Sequence, residues 1–217
     1  MITESASPRS TTPVSLRVKL RKQTAIITRW LHVYLSMVSF AVVLFFAITG
    51  LTLNHPDWFA RQQRTVVRHG VAAAALLKPL SGGAPGDVDR LALVEMLRSR
   101  EKIHGAITDF RVDDSQVQIS ARAPGYTADI FLDRATGKYD LTEVSSGFVA
   151  VMNDLHKGRD AGKVWGWLID ASAILLTLVS LTGLVLIWFV YKRRFAGLIL
   201  AAAGATLVLC LYFRFVP

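Results

Sequence analysis

The chain has 217 residues, 52% of them hydrophobic, with a formal net charge of +9 at pH 7 and one cysteine, Cys210. A single cysteine excludes an intrachain disulfide, and its apolar surroundings show no cysteine-based metal or redox motif. The positive charge does not indicate a nucleic-acid-binding surface, because it lies largely in short flanks of long apolar runs.

Three apolar runs, at 30–53, 164–191 and 196–213, predict transmembrane helices. About 20 apolar residues cross the hydrocarbon core as a helix, and no water is present there to satisfy any other backbone structure. The first run contains no Asp, Glu, Lys or Arg. It is too long for a secretory signal peptide and predicts an uncleaved anchor.

The distribution of basic residues predicts the orientation. Segment 1–29 contains six basic residues against one acidic residue, and the loop 192–195 contains three basic residues. Segment 57–163 has 15 basic and 14 acidic residues, which is a net charge of only +1. The positive-inside rule then places 1–29 and 192–195 in the cytoplasm, with 54–163 and the C-terminus outside. In a bacterial inner membrane, the outside is the periplasm.

The outer segment 54–163 is long enough for one small domain. Its start, 61–70, is predicted to be a basic connector. Apolar spacing between Asp87 and Lys102 predicts an amphipathic helix capped by Asp87. After Gly105 the period changes to two, which predicts three or four antiparallel strands, with a hairpin turn at 133–138. We therefore expect a small α+β module. It has no clustered carboxylates and no nucleophile beside a base, so we expect an edge strand for docking rather than an active site.

Two histidines, His55 and His156, lie where apolar runs meet the outer side of the membrane. Ionisable residues at such positions are functional candidates, and paired imidazoles commonly hold a haem iron or another metal. His32 lies one turn inside the first run. The alternative for His55 and His156 is that they are interfacial polar residues that cap helix ends.

Helix geometry decides which histidines can pair. His32 and His55 are 23 residues apart, which is roughly 35 Å along a helix, so they cannot ligate one iron. His55 and His156 can sandwich a haem between antiparallel helices. Two imidazoles saturate the iron, which favours electron transfer over oxygen chemistry. His32 would need a non-histidine partner, or His32 of a second subunit in a homodimer. The alternative for His32, equally well supported by the sequence, is an interfacial residue hydrogen-bonded to a backbone carbonyl.

Three further residues, Asp160, Gly50 and Gly183, are candidates for supporting roles at this predicted site. Asp160, four residues after His156, could orient its free ring nitrogen, although a solvated charge explains Asp160 better. Gly50 and Gly183 each follow a threonine. Such small residues let helices, or a flat macrocycle, approach closely, and close helix packing alone explains them equally well.

Several stretches resemble the PepSY-associated transmembrane helix family, and more closely its short PepSY-like membrane branch. They are Arg-Trp-Leu-His-Val-Tyr-Leu at 29–35, Ile-Thr-Gly-Leu-Thr-Leu-Asn-His-Pro at 48–56 and Leu-His-Lys-Gly-Arg at 155–159. The hairpin at 132–138 resembles the terminal hairpin of a PepSY domain. The resemblance covers residues 24 to 191. It identifies the predicted α+β module as PepSY-like, in a mainly α membrane protein with three transmembrane helices.

The resemblance also implies a function. The wider family includes inner-membrane ferric-siderophore reductases that carry b-type haem on transmembrane histidines, and the short branch is similar to proteins associated with periplasmic flavoproteins. We therefore expect haem b on His55 and His156, with His32 as a further candidate ligand. Electrons would pass to a periplasmic ferric chelate, siderophore or flavoprotein.

Two departures from the family pattern limit this expectation. The larger reductases have a fourth helix, whereas this chain has three. The stretch 81–85 does not match a covalent flavin attachment site, so flavin is expected on a partner and not on this chain. The alternatives are a non-catalytic anchor whose module binds or inhibits a periplasmic partner, or an accessory subunit for metal uptake. A reducible b-type spectrum would distinguish the haem protein from both.

Overall fold

The computed structural model describes residues 16–77 and 88–217. The chain divides into two compact units, one of Met1–Ala41 with Ser172–Pro217 and the other of Val42–Ala171. The α-helices in chain order are α1 (Leu16–Asn54), α2 (Arg90–Glu101), α3 (Phe148–Lys157), α4 (Gly162–Ile187) and α5 (Arg194–Phe215). Two short 3-10 helices lie at Pro56–Gln62 and Ala74–Leu77.

Helices α1, α4 and α5 are long and apolar enough to cross a membrane. Helices α1 and α5 contain the predicted spans 30–53 and 196–213, whereas α4 ends at Ile187, four residues before the predicted end of the span 164–191. The chain is therefore a multi-pass membrane protein. Helix α1 begins well before Trp30, so the basic residues between Arg17 and Arg29 lie on its first turns. Helix α4 ends at Ile187 and α5 begins at Arg194, with turns between them.

Between α1 and α4 the chain forms a small antiparallel sheet domain. Its strands are β1 (Arg64–Val71), β2 (Ala106–Val112), β3 (Gln116–Ala123), β4 (Tyr126–Asp133) and β5 (Lys138–Ser145), in the order β1-β5-β4-β3-β2. The predicted meander is confirmed as β2 to β5. The turn at 133–138 is confirmed as well: the backbone N–H of Thr136 donates to Asp133 over 2.7 Å, and Gly137 has a φ of +71°.

The prediction of a basic connector at 61–70 is wrong, because Arg64–Val71 pairs with β5 along its whole length. Its basic residues are cross-strand partners rather than a solvated linker. Arg68 forms an ion pair with Glu143 at 2.6 Å, and His69 lies directly opposite Asp140 with its Nδ1 at 2.6 Å from the carboxylate. Such cross-strand pairs stabilise a strand. The charged residues of β1 interrupt the alternation of apolar and polar residues by which a strand is recognised in a sequence.

The core of the domain lies between the sheet and α2. Alternate residues of β3, β4 and β5 are fully buried, together with Leu93 and Leu97 of α2. The N-cap of α2 is Asp89, which accepts a hydrogen bond from the backbone N–H of Ala92 over 3.0 Å. The predicted cap, Asp87, lies outside the described residues, as does the stretch 81–85.

One polar contact in this core joins the sheet to α2. The Tyr139 hydroxyl on β5 donates to a carboxylate oxygen of Glu101 over 2.5 Å. Burial, and then the hydrogen bond to Glu101, raise the pKa of Tyr139 to about 12. The phenol is therefore neutral throughout the physiological range and acts as a hydrogen-bond donor.

Candidate functional site

Helix α3, which the sequence analysis did not predict, positions His156 in its last turn. The Thr52 hydroxyl of α1 donates to the side chain of Asn153 over 2.6 Å. The Trp165 indole donates to the carbonyl of Leu155 over 2.8 Å and closes the turn between α3 and α4. The first contact holds α3 against the last turns of α1 and the second joins α3 to the start of α4, all within the unit Val42–Ala171.

The His156 ring is half-buried against α1. Its Nδ1 lies 2.6 Å from the Thr49 hydroxyl oxygen, and the ring of Phe46 meets it edge-on at 4.9 Å between centroids. A Cβ at Gly50 would lie 3.6 Å from Cε1 of His156, so the imidazole lies directly over that glycine. Within the described part of the chain, the Nε2 atom of His156 has no hydrogen-bond partner.

His32, in the other unit, also bonds to a threonine through Nδ1. Its Nδ1 lies 2.9 Å from the Thr182 hydroxyl and 3.2 Å from the carbonyl oxygen of Val179. A Cβ at Gly183 would lie 3.2 Å from Cε1 of His32, closer than at Gly50. Each of these histidines therefore bonds through Nδ1 to a threonine, and each lies over the glycine that follows that threonine in the sequence.

His55 lies just after the end of α1 and is positioned differently. Its ring stacks on the indole of Trp58, with centroids 4.2 Å apart and planes 3° from parallel. Among the described residues, neither ring nitrogen of His55 makes a hydrogen bond, and His55 and His156 share no ring contact. The pairing of His55 with His156 as ligands therefore stays a prediction.

The described residues contain no group of three or more His, Cys, Asp or Glu side chains that could hold a metal ion. A bis-imidazole haem site requires only two protein ligands to the iron. The absence of a larger group among the described residues therefore does not test the haem prediction. Asp160, which the sequence suggested could orient His156, is exposed. The side chain that bonds to Nδ1 of His156 is instead Thr49, through its hydroxyl.

The sequence analysis missed the two threonines. It singled out Gly50 and Gly183 as small residues but gave no role to the hydroxyl before each of them. The available signal was the recurrence of Thr-Gly-Leu, at 49–51 and at 182–184, on two spans of a chain with histidines near both.

These features define a multi-pass membrane protein with an antiparallel sheet domain between its first two spans and two imidazoles anchored through Nδ1. The chain belongs to the PepSY_TM-like family, whose model, described as "Putative PepSY_TM-like", matches residues 26–217. The predicted family is thus confirmed, and the match includes the third span. No curated protein and no solved structure is significantly similar to the chain.

Proposed function

We propose that this protein is a bacterial inner-membrane b-type haem protein that passes electrons to a periplasmic acceptor, either a ferric chelate or a flavoprotein. The observation that supports this best is the state of His156. Its Nδ1 is bonded to Thr49, while its Nε2 is without a partner among the described residues. Histidines that ligate metals typically bind through one nitrogen and donate the other N–H to a protein oxygen.

The residues around His156 fix the orientation of its ring. Gly50 has no side chain and leaves room for the imidazole, and the Phe46 ring meets that imidazole edge-on. His156 and His55 are the residues that would hold the haem iron, and His32 is the candidate for a further site. When bound, haem would supply reversible one-electron transfer. The protein's contribution is to orient the imidazoles and to limit water around them.

We assign the sheet domain a docking role, as a PepSY-like module. One face of the sheet packs on α2, and the other leaves Phe131 of β4 45% exposed beside an ion pair of Arg122 with Asp129 at 2.7 Å. Aromatic residues are enriched at protein–protein interfaces relative to the rest of the surface. The same observation favours a second candidate function, a haem-free anchor whose module binds or inhibits a periplasmic partner.

The test is an optical spectrum of the full-length protein purified in detergent from cells supplied with haem. We expect a dithionite-reducible, low-spin b-type spectrum, and rapid reoxidation of the reduced protein by a ferric chelate. Purified protein without a tetrapyrrole spectrum would contradict the proposal. A metal bound without tetrapyrrole would instead favour an accessory role in metal uptake.

The proposed orientation leads to a second prediction. Basic flanks stay in the cytoplasm. After Pro217, we therefore expect activity from a reporter that works only outside the cytoplasm and none from a reporter that works only inside it. At Arg193 we expect the opposite result. Paired alkaline phosphatase and fluorescent-protein fusions measure this. A cytoplasmic C-terminus would mean that α5 does not cross the membrane.

A further inference from the structure

We infer that Thr49 is a positioning residue that sets the tautomer of His156 and presents its Nε2 as the ligand nitrogen, and that Thr182 and the Val179 carbonyl together do the same for His32. Both threonine–histidine hydrogen bonds are made between residues of this chain. Only the term ligand rests on the proposed function.

At His156 the donor of the hydrogen bond is decided by counting protons. A threonine hydroxyl has one proton to donate and two lone pairs that accept. The Thr49 hydroxyl lies 2.6 Å from the carbonyl oxygen of Phe45, which can only accept, so its proton is used there. Thr49 must then accept from His156, whose Nδ1 therefore carries the hydrogen. In the neutral ring, Nε2 is left with its lone pair.

At His32 a second acceptor enforces the same tautomer. The carbonyl oxygen of Val179 lies 3.2 Å from Nδ1 and can only accept a hydrogen. The Thr182 hydroxyl donates to the carbonyl of Leu178 over 2.8 Å and accepts from Nδ1 in turn. His32 therefore has two acceptors at Nδ1, whereas His156 has the single acceptor Thr49.

Threonine suits this role because its branched side chain is stiff at χ1 and its hydroxyl readily bonds the carbonyl four residues back in a helix. Thr177 of α4 makes that same backbone bond, to Ala173 over 2.8 Å, and contacts no histidine in the described structure. The backbone bond is thus ordinary, and the contact with a histidine distinguishes Thr49 and Thr182. Thr177 provides a matched control for both.

The first experiment uses the full-length protein without haem. Protein labelled with 15N-histidine is measured by NMR at a pH of about 8, where imidazoles are neutral, and signals are assigned with single His→Gln variants. We expect His156 and His32 to be protonated at Nδ1. Thr49→Val should shift His156 to a mixture of tautomers, Thr49→Ser should restore it, and Thr177→Val should change nothing. Thr182→Val should leave His32 protonated at Nδ1, because Val179 remains.

Wild-type His156 protonated at Nε2, or a tautomer unaffected by Thr49→Val, would overturn the inference. Both results are independent of haem. If the tautomers are as expected and no haem binds, the proposed function fails and the role of Thr49 stands.

The second experiment uses the haem-loaded protein. Donation from Nδ1–H to an oxygen makes Nε2 a more basic ligand, and a more basic ligand favours the oxidised iron. Thr49→Val should therefore raise the midpoint potential in a redox titration, and Thr49→Ser should return it towards the wild-type value. An unchanged potential in Thr49→Val would refute the influence of Thr49 on the ligand.

Discussion

Replacement of His156 by alanine is expected to abolish the low-spin b-type spectrum of the purified protein. The variant loses the one imidazole that α1 and α3 together orient, and alanine cannot ligate iron. His55→Ala should have the same effect, because it removes the proposed second axial ligand. The measurement is a reduced-minus-oxidised spectrum normalised to the amount of protein recovered from the membrane fraction.

Two variants control for indirect effects on this spectrum. His69→Ala alters a side chain that is 72% exposed on β1, so the spectrum should be unchanged. His32→Ala should leave the haem at His156 in place, because the two histidines have separate surroundings. A wild-type spectrum in His156→Ala would contradict the site. Loss of the spectrum in His156→Ala but not in His55→Ala would retain His156 and refute the pairing with His55.

Ile130→Ala should strongly destabilise the sheet domain while leaving the protein in the membrane. Ile130 is fully buried in the middle of β4, between strands β3 and β5. Removing a buried isoleucine side chain typically costs about 2–5 kcal/mol, which is a large fraction of the roughly 5–15 kcal/mol that stabilises a domain. Limited proteolysis of the full-length protein in membranes should show rapid cleavage within 64–145.

Phe131→Ala is the matched control, because this neighbouring side chain points to the open face of the sheet and is 45% exposed. It should leave protease resistance close to wild type. Both variants should retain haem, and both should slow reoxidation by a periplasmic flavoprotein if the module guides that partner. Unchanged reoxidation in Ile130→Ala, with cleavage confirmed, would show that the module does not deliver the acceptor.

The sequence predicted those elements whose signal is local. Length and apolarity are sufficient for α1, α4 and α5, and alternation is sufficient for β2 to β5. Strand β1 was missed because Arg68 and His69 interrupt its alternation, and their partners Glu143 and Asp140 lie more than 70 residues further along the chain. Helix α3 was missed because it is short and ends only a few residues before α4.

The candidate site was predictable only in part, for a related reason. A histidine near an apolar run is visible in the sequence, whereas its hydrogen-bond partner is not. Thr49 and His156 are separated by 107 residues, and no local pattern relates them. Only the docking of α3 on α1 brings the hydroxyl to the ring. The tautomer of His156 is thus a property of the tertiary structure.

The pairing of β1 with β5 has a consequence for how the gene could be rearranged. Arg64, soon after α1, pairs directly with Ser145, just before α3, and paired Cα atoms in an antiparallel sheet are about 5 Å apart. Everything between them is an insertion whose two ends meet. Insertions of this geometry can be exchanged or removed with little demand on the host. A tight turn in place of 65–144 would bridge the same gap, and what α3 would lose is its hydrogen bond from the backbone N–H of Gly125 to Asp154, at 2.9 Å.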